Sequence, residues 1–479
     1  MCIHALSTVQ KMCSAAVISP MFKDLPMRHL LIVLVLLFTA NLMSQNYQAE
    51  KNKIEAAMKD GKPRTALKAA EAYYDLAIKN GNEDQAIKAL AYRAELTSQT
   101  EEEGQDAAIN LIHQELDTTK DRPVVAAVLN FMLGSSYYQY AQQNSWRLRN
   151  NTAVTTDSVP AANRPLEDWN LTQLVKAAED HLFKGLDFAR AARTQLFSVP
   201  AIVTNDSARI DEQPTLYDLL ARASLNMLGN PLLSVGDPEI TKPEQYLGSA
   251  AAFAAMPIDA SERTGTYRKL KIYQDLTNFH LGPPSPALMA VDIDRLEYVK
   301  QLGTDKADNL AALRRMQETY LNTPGGQIFL VKEAQVYANG YRNEETTVAN
   351  PKATALAILD RITDKKPAVA TPAEQLRRQI LTKSLSNNVQ SVYGKEENIL
   401  INLNYRNIGH VYHRLYAAPQ SGPSQGFERW RIDEEALAKL IEQKPLAKVA
   451  FRLPENDDYE QHTTETWMTA QKPGRYYLI

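Results

Sequence analysis

The 479 residues are enough for two or three domains with substantial hydrophobic cores, so stability requires neither a metal ion nor a disulfide. The 53 basic and 56 acidic residues leave a net charge of -3, which disfavours a protein that binds nucleic acid or an anionic membrane surface. Only two cysteines occur, Cys2 and Cys13, and both precede the strongest apolar run of the chain.

That apolar run, Leu30 to Phe38, predicts an export signal. It follows Arg28 and gives way to small and polar residues, as the core of a signal peptide does. It is shorter than the ~20 residues that span a bilayer, although an uncleaved membrane anchor is an alternative. We expect a signal peptide at about residues 27–44 within an upstream segment 1–44, and export to a periplasm.

Cleavage near Ser44 would remove both cysteines. The mature protein would then have no disulfide, no thiolate metal ligand and no cysteine nucleophile. No cysteine directly follows the apolar run, so no lipid anchor is expected.

Residues 45–386 predict one helix after another. In the stretch Ala66 to Ile78, apolar side chains recur at three- and four-residue spacing, and Asn80 and Gly81 then end the pattern. The other predicted helices are 83–96, 124–140, 171–193, 215–228, 267–279, 287–302, 307–320, 326–339, 354–362 and 373–386. Short turns between helices are typical of tetratricopeptide-like hairpins, but no strict period of about 34 residues is kept. We therefore predict an irregular, tetratricopeptide-like helical solenoid.

After Ser386 the hydrophobic pattern changes to a period of two, which is typical of strands. The predicted strands begin at Val389 and continue with Ile399–Tyr405, 410–416, 448–454, 463–468 and 476–479, with a helical insertion at 433–444. We predict an immunoglobulin-like β-sandwich over residues 387–479. The fold class is thus mainly α with a C-terminal β-domain.

No pattern in the sequence indicates a catalytic residue, a cofactor-binding residue or a metal ligand, and we predict none of these. A Gly-x-Ser-x-Gly motif is absent. His410 and His413 are three apart on a predicted strand, so they should point to opposite faces. Gly325 and Gly326 lack the Lys-Ser/Thr that a phosphate-binding loop requires.

The acidic pairs and the tryptophans have structural interpretations. Asp292 with Asp294 and Glu396 with Glu397 are expected in solvated helix starts or turns, and the run 101–103 on the surface of a helix end or loop. The tryptophans are scattered singly, which favours packing anchors over a sugar-stacking platform. They are Trp146, Trp169, Trp430 and Trp467.

Several sequence phrases, in consistent order, carry a resemblance to a known family. They are Gln213–Ala223, Tyr267–His280, Asp292–Val299, Leu453–Pro454, Asp458–Glu465 and Pro473–Leu478. These phrases resemble the helical amino-terminal region and the first macroglobulin domain of alpha-2-macroglobulin-like proteins from Bacteroidetes. The resemblance covers nearly the whole mature chain and includes no catalytic motif.

In that family a protease cleaves an exposed bait segment, and the large chain closes around the protease, often with a covalent bond through a Cys-x-x-Gln thioester. Neither feature can be assigned in this sequence. The resemblance implies a non-enzymatic N-terminal scaffold of a protease-trapping or protease-inhibitor envelope protein, a fragment truncated at the C-terminal end of its β-sandwich.

The implied partners are the remaining macroglobulin domains or a second chain, and proteases through the full assembly, with no nucleic acid. Two alternatives are a helical-repeat adaptor that assembles envelope complexes and a glycan-capture protein.

Overall fold

The structure is a computed structural model that describes residues 46–119, 121–151, 165–199, 210–228, 230, 240–258, 265–341, 350–418, 434–454 and 456–479. The predicted signal peptide and both cysteines lie outside these residues. Backbone contacts divide the chain into two compact units, Met1–Asp237 with Asp259–Lys269 and Pro238–Ile258 with Leu270–Ile479. Within the described ranges, none of the helices combines the length and apolar character that a membrane crossing requires.

The first unit is helical. Its helices are α1 (46–59), α2 (Pro63–Lys79), α3 (Glu83–Thr100), α4 (Gly104–Asp117), α5 (Pro123–Gln143), α6 (Ser145–Asn150), α7 (Leu171–Ala192) and α8 (Leu216–Met227). One-turn 3-10 helices occupy Leu166–Asp168 and Leu196–Ser198. Local sequence explains the helix starts: Asn82 caps α3, and Asn170 forms a capping box with Gln173 at the start of α7.

Helices α5 and α7 form the most extensive helix pair of this unit. Glycines at the crossing allow the close approach: a methyl group at Gly134 would lie 2.7 Å from Leu182 Cγ, and one at Gly185 would lie 2.8 Å from the carbonyl oxygen of Ala127. The absence of a β-carbon at both positions therefore determines the helix separation.

Among the described residues, the second unit contains further helices and the six strands. The helices are α9 (Ala250–Ala254), α10 (Thr266–His280, which begins in the first unit), α11 (Pro286–Gln301), α12 (Lys306–Tyr320), α13 (Ile328–Ala338), α14 (Pro351–Asp360), α15 (Pro367–Leu381) and α16 (Glu434–Ile441), with a 3-10 segment at Pro243–Leu247. Residues of α13, α14 and α15, among them Ala334, Ile358 and Leu376, share one hydrophobic core.

The strands form two three-stranded antiparallel sheets, β1-β2-β5 and β4-β3-β6. They are β1 (Ser384–Val389), β2 (Ile399–Arg406), β3 (His410–Ala417), β4 (Ala447–Arg452), β5 (His462–Met468) and β6 (Tyr476–Leu478). Ile401 and Leu403 of β2 and Val411 and Leu415 of β3 belong to one buried cluster, so both sheets share a core.

The predicted class, mainly helical with C-terminal antiparallel strands, is confirmed. The predicted helix 373–386 is too long, because α15 ends at Leu381 and Ser384 already pairs with Arg406 of β2. Cross-strand hydrogen bonds decide this assignment, and a periodicity measured along one segment cannot detect them.

Candidate functional site

Two histidine side chains meet between helices α4, α5 and α7 of the first unit. His113 Nε2 lies 2.9 Å from the hydroxyl of Tyr137, and His181 Nδ1 lies 2.9 Å from Oδ1 of Asn130. The two imidazole centroids are 5.5 Å apart, and the Tyr137 ring stacks on His181 at 5.8 Å. Trp169 covers the other end of this histidine cluster, 5.9 Å from Tyr137.

Burial controls the protonation of the histidine cluster. Burial, together with the nearby His113 and Lys184, lowers the pKa of His181 to about 4. Burial also lowers the pKa of His113 and raises the pKa of Tyr137 to about 12. At neutral pH both imidazoles are therefore neutral, and the tyrosine keeps its proton.

The hydrogen bonds fix one tautomer. Asn130 Nδ2 donates to the carbonyl of Ala126 at 2.9 Å, so its Oδ1 accepts and His181 Nδ1 carries the proton. The other polar side-chain groups of the cluster are two imidazoles and one phenol. Among the residues that the structure describes, no group of three or more His, Cys, Asp or Glu side chains could hold a metal ion. These hydrogen bonds join helices α4, α5 and α7, and the charge of the two imidazoles that form them depends on pH.

The second unit has its own buried polar cluster. Arg295, with a side chain that is 0% exposed, forms an ion pair with Asp292 at 2.8 Å and donates to the carbonyls of Tyr246 and Gly248 at 2.6 and 2.9 Å. The hydroxyl of Tyr320 donates to the other oxygen of Asp292 at 2.6 Å. Burial and the Asp292 carboxylate both raise the pKa of Tyr320. Arg295 thereby attaches the 3-10 segment Pro243–Leu247 and the following Gly248 to α11, and Tyr320 attaches α12 to α11.

The prediction that Asp292 is solvated is therefore wrong. Asp292 is 2% exposed, because Arg295 on the next helical turn neutralises it inside the core. Asp294, its neighbour in the predicted pair, is half-buried.

Polar contacts also tie the helices of the second unit to its strands. Asn407, in the turn after β2, donates to the carbonyls of Ile380 and Thr382 at 2.8 and 3.1 Å, so it caps the end of α15. Lys352 of α14 binds Glu460 at 2.6 Å, in the loop between β4 and β5. We call these contacts the helix–strand joint.

The histidines and glycines chosen from the sequence have structural roles. His410 is exposed, whereas His413 is 3% exposed and bonds Thr466 at 2.9 Å, so they point to opposite faces as predicted. Gly325 has a φ of 84°, in the left-handed region, where it turns the chain between α12 and α13.

The acidic turn residues behave as expected. Glu396 has a φ of 72° in an exposed turn, and Glu397 accepts from the N–H of Gly394. The residues 101–103 are exposed between α3 and α4, as predicted.

Two of the tryptophans contradict their prediction as packing anchors. Trp169 is buried, but Trp146 is 82% exposed and Trp467 is 58% exposed; Trp430 lies outside the described residues. Trp146 stands on the short helix α6, whose buried residue is Leu148, and Trp467 occupies an outward position of β5. An isolated tryptophan in a sequence does not reveal on which face of its element it stands.

The histidine cluster was not predicted, because 68 positions separate His113 from His181 in the sequence and α4 is not among the predicted helices. The available signal was weak: each histidine adjoins a buried aliphatic residue, Ile112 or Leu182, of an amphipathic helix. No family model matches the chain, and no match was found among the curated proteins or the solved structures.

Proposed function

We propose that this chain is the non-enzymatic amino-terminal scaffold of an alpha-2-macroglobulin-like envelope protein. One observation carries the proposal: residues in the sequence phrases that resemble the family form hydrogen bonds and ion pairs within the fold. Thr215 and Asp218 form the capping box of α8, with Asp218 0% exposed. Asp292 pairs with Arg295 in the core, and Glu460 belongs to the helix–strand joint.

The architecture supports the finer assignment of both parts. Consecutive helices pack on each other, α2 on α3 and α13 on α14, as they would in an irregular tetratricopeptide-like solenoid. The two antiparallel sheets share one core, which suits an immunoglobulin-like sandwich and hence a first macroglobulin domain.

The polar clusters support a role without chemistry of its own. In the histidine cluster and the Asp292–Arg295 pair, the polar groups described above bond to neighbouring helices. We propose that the mature chain is exported to the periplasm, where it contacts further macroglobulin domains or a second chain and meets proteases only through that assembly.

The purified mature chain, incubated with a panel of proteases and analysed on denaturing gels, tests the proposal. A thioester-containing macroglobulin serves as the positive control. We expect unshifted bands for this chain, and a protease-dependent conjugate that resists reduction would overturn the proposal. Antibodies against the chain should also detect a much larger assembly in native envelope extracts of the source cells. Detection of the free chain alone would contradict the scaffold role.

A further inference from the structure

The outward face of sheet β1-β2-β5 presents an unusual set of side chains. Ile401, Leu403 and Tyr405 point into the core, so alternation places Leu400, Asn402 and Asn404 on the opposite face. In the register of β2 with β5, Trp467 lies opposite Leu400, Glu465 opposite Asn402, and Thr463 opposite Asn404. We call these six outward residues of β2 and β5 the outer face.

From this arrangement we infer that the outer face binds a neutral glycan, an activity that goes beyond the proposed scaffold role. The ligand class is an uncharged oligosaccharide of pyranose rings. An aromatic platform, a row of hydrogen-bonding groups and the charge of the face favour this ligand.

Trp467 supplies the aromatic platform. Its side chain is 58% exposed, and its cross-strand partner Leu400 is 44% exposed. The ring of Phe451 packs against the indole with centroids 5.9 Å apart and planes at 61°, so the indole is supported from one side. A supported, solvent-facing indole offers an apolar surface on which the C–H face of a pyranose can stack at little entropic cost.

Amides, a hydroxyl and a carboxylate continue along the strands from this platform. The outward side chains repeat about every 7 Å along a strand, so Trp467 and Thr463 are about 14 Å apart, a length that suits an oligosaccharide. Oδ1 of Asn402 is shielded from solvent, so the exposed Glu465 and Thr463 and the half-buried Asn404 present the hydrogen-bonding groups of the face. Thr463 and Asn404 are linked by a 2.7 Å hydrogen bond, which orients both for a ligand hydroxyl.

The charge of the face selects against other ligands. Glu465 is the only charged side chain among the six residues, and the nearest outward cation on β2, Arg406, donates to the carbonyl of Thr382. Nucleic acids and anionic lipid surfaces need clustered basic residues, which this face lacks. A protein partner would need a larger apolar centre than one Leu–Trp pair. A neutral glycan matches both the indole and a polar row whose one charged group, the Glu465 carboxylate, can accept from ligand hydroxyls.

The test uses the full mature chain and affinity gel electrophoresis in gels that contain neutral polysaccharides, followed by fluorescence titration with oligosaccharides of the retained type. We expect retention by at least one neutral glycan and quenching of tryptophan fluorescence. Trp467→Ala should weaken binding about tenfold or more, as the loss of an aromatic anchor does. Thr463→Ala and Glu465→Gln should each weaken it several-fold.

Trp146→Ala is the matched control, because it removes a more exposed tryptophan from the first unit and should leave binding unchanged. Thermal unfolding of each variant distinguishes a change in the binding surface from a loss of the folded structure. If no neutral glycan is retained, if Trp467→Ala binds as the parent does, or if only anionic polymers bind, the inference is wrong. Because no protease is present, these outcomes leave the scaffold proposal unaffected.

Discussion

Gly134 and Gly185 determine how closely helices α5 and α7 approach each other. Alanine favours a helix over glycine by about 1 kcal/mol, but a methyl group at Gly134 would lie 2.8 Å from the carbonyl oxygen of Ala178. Because overpacking costs about 1–3 kcal/mol, we expect Gly134→Ala and Gly185→Ala to lower the free energy of unfolding. Urea denaturation measures this change.

Gly282 provides the matched control for the crowded glycines. The nearest atom to a methyl group there would be 4.0 Å away, so Gly282→Ala should leave stability almost unchanged. Equal midpoints for all three variants would show that the α5–α7 contact is looser than described.

His181 should make the stability of the first unit depend on pH. The unfolded side chain takes up a proton near its ordinary pKa of 6.5, whereas the folded one does so only near a pKa of about 4. Between these values the unfolded state holds more protons, so stability falls as the pH is lowered from about 6.5 to about 4. His181→Gln should lose part of this pH dependence in urea denaturation.

The exposed His410 is the control for this experiment. His410→Gln removes a histidine whose side chain already faces solvent in the folded state, so the pH dependence should persist. If His181→Gln and the parent show the same slope of stability against pH, burial of His181 is not its cause.

Single residues were the hardest level to predict from the sequence. The opposite orientation of His410 and His413 follows from strand geometry, and the sequence sufficed for it. The burial of Asp292 depends on Arg295 and on carbonyls about 50 residues away, and the exposure of Trp467 depends on the register of β5. Such contacts between distant segments leave no periodic signal.

At the level of elements, the buried pair of Arg295 and Asp292 holds the 3-10 segment Pro243–Leu247 against α11. Arg295→Met would leave Asp292 buried without its counter-charge and should destabilise the protein by roughly 3–5 kcal/mol in chemical denaturation. Lys439→Met, which breaks an exposed pair with Glu435 on α16, should cost below about 1 kcal/mol. Similar losses for both variants would refute a special role for the buried pair.

Asn407 should protect the helix–strand joint from cleavage by proteases. Asn407→Gly keeps the left-handed φ of 54° but removes the donor to Ile380 and Thr382, so we expect faster tryptic cleavage after Lys383 and a loss of about 1 kcal/mol. Glu396→Gly, at another left-handed position, is the control and should not accelerate that cleavage. An unchanged cleavage rate in Asn407→Gly would mean that the cap does not hold the joint.

The sequence predicted most long elements well. The predicted helix 267–279 corresponds to Thr266–His280, and the predicted strand 463–468 to His462–Met468. Helix α4, which has 14 residues, is not among the predicted helices: residues 101–103 are predicted as a helix end or loop, and no helix is predicted directly after them. His113 lies on α4, so the histidine cluster could not be predicted without this helix.

For the molecule as a whole, export should remove the residues through about Ser44. Mass spectrometry of the mature protein should then find no peptide that contains cysteine, because Cys2 and Cys13 both precede the cleavage site. Recovery of a Cys13 peptide from periplasmic material would contradict this prediction.

The order in which the two units use the chain also affects how the protein is made. Asp259–Lys269 belongs to the first unit, but it is translated after Pro238–Ile258, which belongs to the second unit. Arg268 of that late segment pairs with Glu179 and Asp180 of α7, so the first unit completes its contacts after a piece of its neighbour has left the ribosome. The carbonyls of Tyr246 and Gly248 in Pro238–Ile258 in turn bond to Arg295, which is translated later. Any uninterrupted stretch of the gene that encodes one unit completely therefore also encodes part of the other.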